Sequence, residues 1–418
     1  MNPETASASS PAQAVSMDDL QTSRSGVWLA MDTGQPVLSC FCSGGTFNFG
    51  FCSPEVQAEV LQLIRKGDSG MWPLPSVRRT IAEQQFSVIL PAPLCKTYFV
   101  SSASEAFEVA CKFAKRITGR PNLISATGGY FGHVGFSLAM DDPAFRPQDY
   151  APLSGGIRKV VYGAIDSLAE QLDDTVAAVC METIQIPAGV VEPPDGYLAE
   201  VRRLCDRHGA LLILDEVQGG LRRTGKIWAF QHHGIVPDLL VSGKGITGGY
   251  YPCGALSFAE KHLAAFQSPV PVHVTSYAGN EIGAALAAAL AQRYADPAMG
   301  DHVDRTGRRL VDGLDRLTRQ HPAVLNPGVR GRGLIRAVDV TAPGLRDRLF
   351  AGCMRHGLFV RGSAVNPNAI HFQPPLIITE DEVTEALARF GRAVAELDIN
   401  AGSAGRPGST TAEGALAT

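Results

Sequence analysis

A lysine, an aspartate and a capped helix start are the residues of this chain whose types and spacing could do chemistry. Lys244 follows the apolar run DLLVSG and is flanked by Gly243, Gly245, Gly248 and Gly249. Glycines let a backbone approach closely and take unusual dihedrals. An aldehyde-bearing cofactor needs an amine on a fixed element, with its pKa lowered by the site; the plain alternative is a solvated loop lysine. Asp215 ends the run ALLILD, in which Leu211, Leu212, Ile213 and Leu214 are consecutive, as in a fully buried strand. A carboxylate there must be paired or hydrogen-bonded. It is placed to bond a protonated pyridine nitrogen so that the ring can act as an electron sink, or else to be solvated at a strand mouth or to cap a helix. The separation of 244 − 215 = 29 residues suits one strand, a crossover and a second strand, which brings both side chains to the same sheet edge.

Ser102-Ala103-Ser104-Glu105 follows the run KTYFVS and opens a helix with Ala106, Val109, Ala110, Phe113 and Ile117 on its apolar face. In this capping box, Ser102 caps the amide three residues on while Glu105 reaches back. Free N–H groups and the positive dipole end make a ready phosphate site; a plain helix cap is the alternative. Gly128-Gly129-Tyr130-Phe131-Gly132-His133 follows the run NLISAT, where an aromatic beside glycines can stack on a planar heterocycle or simply fill a turn.

The elements that must position these groups alternate. Strand-like runs KTYFVSS, NLISATG, AAVCMETI, ALLILDEV and DLLVSGK are separated by amphipathic helices, which predicts a mainly parallel α/β sheet with crossover helices. From about Asp296 the pattern changes to a smaller α+β domain: a helix around HVDRTGRRLVDGLDRLTRQH, the runs GLIRAVDV and GLFVRG, and a last helix TEDEVTEALARFGRAVAEL. The expected organisation is a tail at 1–16, an N-terminal part of the small domain at 17–54, a large domain at 55–295, the small domain resumed at 296–397, and a tail at 398–418. Both tails are poor in large apolar residues and cannot offset their ordering entropy.

With 418 residues, 45% hydrophobic and 19% charged, the chain can bury a large core. A net charge of −4 with both signs mixed gives no basic stripe for nucleic acid or an anionic membrane. No run is long and apolar enough to span a bilayer and no leader peptide is legible, so a cytoplasmic protein is expected. The nine cysteines form no CxxC pair, so buried free thiols are expected and no metal site.

In order, these segments resemble the class III (ω-aminotransferase-like) aminotransferases of the type I pyridoxal 5′-phosphate fold, over residues 27 to 395. The stretch from METIQIPAG through ILDEVQGGLRRTGK to LLVSGKGITGG is similar to the family's acidic-residue-to-lysine signature, including the turn from Gly220 to Gly225. The resemblance implies that Lys244 is the Schiff-base lysine and proton shuttle, and that Asp215 pairs with the pyridine nitrogen. Val217 would lie under the ring, Gln218 would bond its phenolic oxygen, and Tyr130 would stack on it. Ser102, Ala103 and Ser104 would hold the phosphate. Ser276, in HVTSYAGNE where the family usually has Thr, would reach the phosphate of a neighbouring subunit, which implies a homodimer with shared active sites.

Departures from the family pattern bear on substrate. The family usually carries Arg three residues before Pro-Pro, where it binds a substrate carboxylate; AIHFQPP puts His371 there. The family's second Glu in Glu-Pro-x-Gln-Gly-Glu, which in some members gates that Arg, is Pro187 in Glu182-Thr-Ile-Gln-Ile-Pro187. A neutral His cannot reproduce a bidentate guanidinium. The resemblance therefore implies an aminotransferase moving an amino group between an amine-type donor and an aldehyde or ketone, through a Lys244 aldimine and a pyridoxamine form. Other chemistry on the same cofactor (amino-group migration, decarboxylation, elimination) and a non-catalytic binding subunit are the alternatives. Arg332, Arg336 or Arg361 could supply a replacement clamp or be ordinary surface or ion-pair arginines. Met71 and Trp72 fall in a region that lines the substrate pocket in the family, or pack in the core.

Overall fold

The computed structural model describes residues 21–71, 74–145, 150, 153, 155–267 and 270–404. Its centre is a seven-stranded sheet in the spatial order Leu94–Val100, Gly254–Ala259, Leu239–Ser242, Leu211–Asp215, Val176–Glu182, Asn122–Ala126, Ile157–Val160. From Leu239–Ser242 to Ile157–Val160 all pairings are parallel. Gly254–Ala259 runs antiparallel to both its neighbours. The sequence reading did not include that strand, because GALSFA has no run of large apolar residues; tertiary packing alone supplies its partners.

The apolar runs are consecutive because the sheet is covered on both faces. Every residue of Val176–Glu182 is buried, and so are Leu212 to Asp215. The helix Ala103–Thr118 buries Ala106, Phe107, Val109, Ala110 and Phe113 against the sheet, and each of the larger side chains contributes about 1.5–3 kcal/mol by leaving water. A left-handed Gly119 ends it, as expected of a glycine C-cap.

The N-terminal strands Trp28–Met31 and Pro36–Ser39 join a sheet with Leu358–Phe359 from the far end of the chain. A second small sheet pairs Arg330–Arg332, Ile335–Asp339, Ala369–Phe372 and Arg361–Gly362. GLFVRG, read as one strand, is thus broken at Val360 and shared between two sheets, a split that hands Arg361 to the sheet containing His371. The last helix runs Glu380–Ala404, past the tail expected from 398. Asp398 is tied at 2.8 Å to Nδ1 of His321, an anchor that composition does not reveal. The tail expected at 1–16 and most of the C-terminal one lie outside the described residues.

All nine cysteines are free. Seven are buried, whereas Cys52 and Cys95 are exposed, against the expectation of buried thiols throughout. Among the described residues no helix is long and apolar enough to cross a membrane, and no group of three or more His, Cys, Asp or Glu could hold a metal ion.

Candidate active site

The carboxyl ends of the parallel strands open into two connected spaces. The inner one, about 60 Å³, is lined by Ala103, Ser104, Tyr130, Phe131, Gly132, Glu182, Asp215, Val217, Gln218 and Lys244. The outer one, about 510 Å³, shares Tyr130, Gln218 and Lys244 with it and is walled by Phe41, Ser43, Gly44, Phe145, Ile186, Pro187, Arg361, His371 and Gln373.

Asp215 lies one residue beyond its strand's last apolar side chain, and its Oδ1 accepts the Val217 amide at 2.9 Å. Burial pushes its carboxyl up to about 7, with that amide and Lys244 pulling it back down. Lys244 follows the neighbouring strand by two residues and sits at φ +48°, a left-handed conformation rare for a residue with a side chain. Such strain costs on the order of 1–3 kcal/mol and persists only where surrounding structure enforces it. Burial depresses the Lys244 amine, and Asp215 and Glu182 oppose that. The two shifts run toward each other, an acid made weaker and a base made weaker, the direction that suits an amine for proton transfer. Gly44, at φ +67°, presses over them from the N-terminal segment; a Cβ there would stand 3.0 Å from Gln218 Oε1 and 3.2 Å from Lys244 Cε.

Ser102 Oγ accepts the Glu105 amide at 3.1 Å, as a helix cap should. Glu105 reaches back to the Ser101 amide at 2.8 Å, one residue earlier than the capping-box expectation. Ala103 and Ser104, whose first-turn amides have no intrahelical partner, line the inner space. Gly132, at φ +121°, closes over them so tightly that a Cβ would fall 1.9 Å from Ser104 Oγ. Tyr130 is half-buried between the spaces, edge-on to Phe145 and His133 with ring centroids at 5.2 and 5.4 Å.

The structure therefore brings Ala103, Ser104, Tyr130, Asp215, Val217, Gln218 and Lys244 around one space. Ser102 stands behind it as the cap, and Ser276 lies apart, exposed on the loop before Asn280 and lining neither space. Trp72 lies outside the described residues; Met71 is 70% exposed, far from a core role.

His371 is buried at 4% exposure and lines the outer wall. Burial first, and then the Arg330 and Arg361 cations, lower its ring pKa to about 3, so it is neutral there, with Nε2 lacking a hydrogen-bond partner. Of the three candidate arginines, Arg332 pairs with Glu192 at 2.5 Å and Arg336 bonds the Gly331 and Gly333 carbonyls. Arg361 alone lines the outer space, its guanidinium 4.9 Å over the Phe41 ring and with no carboxylate facing it among the described residues.

Glu182, lining the inner space, and Phe41 and Gly44, lining the outer one, are residues that sequence reasoning did not single out. Glu182 had a usable signal: it ends the strand beside Asp215 and is its register partner. Phe41 and Gly44 had none, since they reach the site only by tertiary packing.

The model of the aminotransferase class-III family matches residues 11–394. This chain belongs to the class III aminotransferases. An uncharacterized aminotransferase of Archaeoglobus fulgidus is 34% identical over 370 residues, covering 88% of this chain and 86% of that protein. Among solved structures, the ornithine aminotransferase from Toxoplasma gondii ME49 is similar in fold, with a TM-score of 0.86 at 23% identity over 93% of both chains. So is a transaminase from the marine bacterium Virgibacillus, with a TM-score of 0.85 at 22% identity over 92% of this chain and 94% of that one. This aminotransferase accordingly has the type I fold and is pyridoxal phosphate-dependent. Its residues fit that cofactor: an amine and a carboxyl share the inner space, the first residues of the helix Ala103–Thr118 line it, and Tyr130 and Val217 offer flat or apolar contacts.

Proposed function

We propose that this aminotransferase moves an amino group between an amine-type donor and an aldehyde or ketone acceptor, with Lys244 as its catalytic residue. The observation that carries the reading is the convergence of Lys244 and Asp215, with opposed pKa shifts, on one buried space at the strand ends. Pyridoxal phosphate, when bound, supplies an aldehyde for primary amines and a ring that takes up the electron pair freed at the substrate carbon. Lys244 Nζ, its pKa lowered by burial, takes the proton from that carbon and passes it to the cofactor. Asp215 holds the ring nitrogen, Gln218 the phenolic oxygen, and Ala103 and Ser104 hold the phosphate through their amides. The exposed loop bearing Ser276 serves the corresponding site of a second copy of the chain, making a homodimer.

The wall supports a donor without the usual clamped carboxylate, because the neutral His371 and Pro187 occupy the positions at which the family carries Arg and Glu. A specific observation adds a second substrate: Arg361 and His371 are directly opposed in register, so the cation stands one strand over from its family position. A transaminase processes both partners in one space. A neutral amine in one half-reaction and a carboxylate-bearing carbonyl compound, met by Arg361, in the other accounts for both features.

A panel of amino donors and carbonyl acceptors, followed by cofactor absorbance with His371→Arg beside the parent, tests this reading. Turnover of neutral amines with a stoichiometric carbonyl product is expected, and conversion without that product would replace transfer by migration, decarboxylation or elimination.

A further inference from the structure

The turn carrying Tyr130 is held by carboxyl groups at three of its amides. The Gly128 amide donates to Asp142 Oδ2 at 2.7 Å, the Tyr130 amide to Glu182 Oε2 at 3.0 Å, and the Phe131 amide to Asp141 Oδ1 at 2.5 Å. Of the three acids, only Glu182 also lines the inner space. It is 4% exposed and, as the last residue of its strand, is paired in parallel register with Asp215. Side chains at paired positions of neighbouring parallel strands leave the sheet on the same face, so Glu182 stands between the Tyr130 backbone and the floor.

We propose that Glu182 is a positioning residue of the cofactor site, fixing through the Tyr130 amide the place of the Tyr130 ring over the floor formed by Asp215, Val217 and Lys244. The proposal rests on the reading above, in which Tyr130 covers the cofactor ring.

The charges around Glu182 say in which form it does this. Asp215 on the next strand and Asp141 at the end of the following helix face it as like charges, and Lys244 is the ammonium that opposes them. Two neighbouring buried carboxyls sharing one ammonium cannot both ionise freely. Burial, then Asp215, holds the Glu182 carboxyl well above the usual carboxylate range, against the pull of the Tyr130 amide. These influences favour the protonated form of Glu182. In either form its Oε2 remains an acceptor for the amide.

The experiment compares Glu182→Gln and Glu182→Ala in the holoenzyme, measuring the cofactor dissociation constant, the pH midpoint of the visible absorption band and the melting temperature. Gln keeps both the acceptor and the neutrality, so its dissociation constant and band midpoint are expected to match those of the parent. Ala leaves the Tyr130 amide buried without a partner; the dissociation constant is expected to rise about tenfold, about 1.4 kcal/mol, with a displaced band midpoint. A role in stability alone would lower the melting temperature of the Ala variant and leave the band where it is, which overturns the proposal. So would Gln being as damaging as Ala, since that requires an ionised Glu182. Should the Ala chain fail to fold, Glu182→Asp, which withdraws the carboxyl by one methylene, carries the same expectation. Two controls separate this from failure of the site reading itself: Lys244→Ala retaining the visible band, or Tyr130→Ala leaving cofactor affinity unchanged, would overturn that reading and the Glu182 proposal with it, whereas failure confined to the Glu182 variants overturns the proposal alone.

Discussion

The floor of the active site and its outer wall are assembled from different kinds of chain. Asp215, Val217, Gln218 and Lys244 of the floor come from two adjacent parallel strands and the turns directly after them, with Asp215 in register with Val241. The wall gathers Phe41 and Gly44 from the N-terminal segment, Pro187 from the loop after Glu182, and Arg361 and His371 from the C-terminal sheet. The floor holds carboxyls and an amine that shift one another; the wall is lined by Arg361 with apolar and neutral polar groups, and with no carboxylate. On the function proposed above, the reaction is set by short-range strand grammar and the choice of substrates by contacts between distant parts of the sequence.

The largest effect expected of any single change falls on the floor. Lys244→Ala should lower kcat by about a thousandfold or more, the range associated with losing a positioned proton-transfer group; single-turnover absorbance measures it, and full turnover would break the distinction between floor and wall. On the wall, Arg361→Gln should raise KM for a carboxylate-bearing acceptor by about 10–100-fold, about 1.4–2.7 kcal/mol, while KM for a neutral amine donor stays the same. Equal effects on both partners would remove the selective role of the wall.

His371 sharpens the comparison through pH. Its ring ionises near 6.5 in the unfolded chain but only near 3 in the folded one. As pH falls between those values the unfolded chain binds the extra proton, so the stability contributed by the neutral buried ring is complete above 6.5 and is lost on acidification. The slope is about 1.4 kcal/mol per pH unit. His371→Gln should flatten this acid limb in urea unfolding midpoints, and an unchanged limb would contradict neutrality of the wall. The smallest effect concerns the helix that frames the floor: Ser102→Ala should cost about 1 kcal/mol of stability through the lost cap, read from thermal unfolding.

The central strands were legible because they are buried on both faces and so spell consecutive apolar residues, as Leu211 to Leu214 do, whereas the half-buried edge strand Ile157–Val160 carries no such run. Gly254–Ala259 was not, since its small and polar residues pack only because neighbouring strands provide partners on both sides. The division of GLFVRG was equally hidden: nothing local to Val360 announces that Leu358 and Arg361 join different sheets. Glu105 bonding the Ser101 amide in place of the next one is a geometric choice of the same order, invisible in a pattern that only counts spacing.

By itself the sequence determined that this protein carries a lysine and an aspartate at the mouths of neighbouring buried strands, because hydrophobic runs and glycines dictate those positions locally. Only the tertiary structure decided that Arg361 lies across from His371, that Gly44 presses on Lys244, and that Glu182 props the Tyr130 turn beside Asp215. The physical reason is that an apolar run constrains its own backbone through burial, whereas the wall of a cavity is a meeting of segments whose separation along the chain leaves no periodic trace.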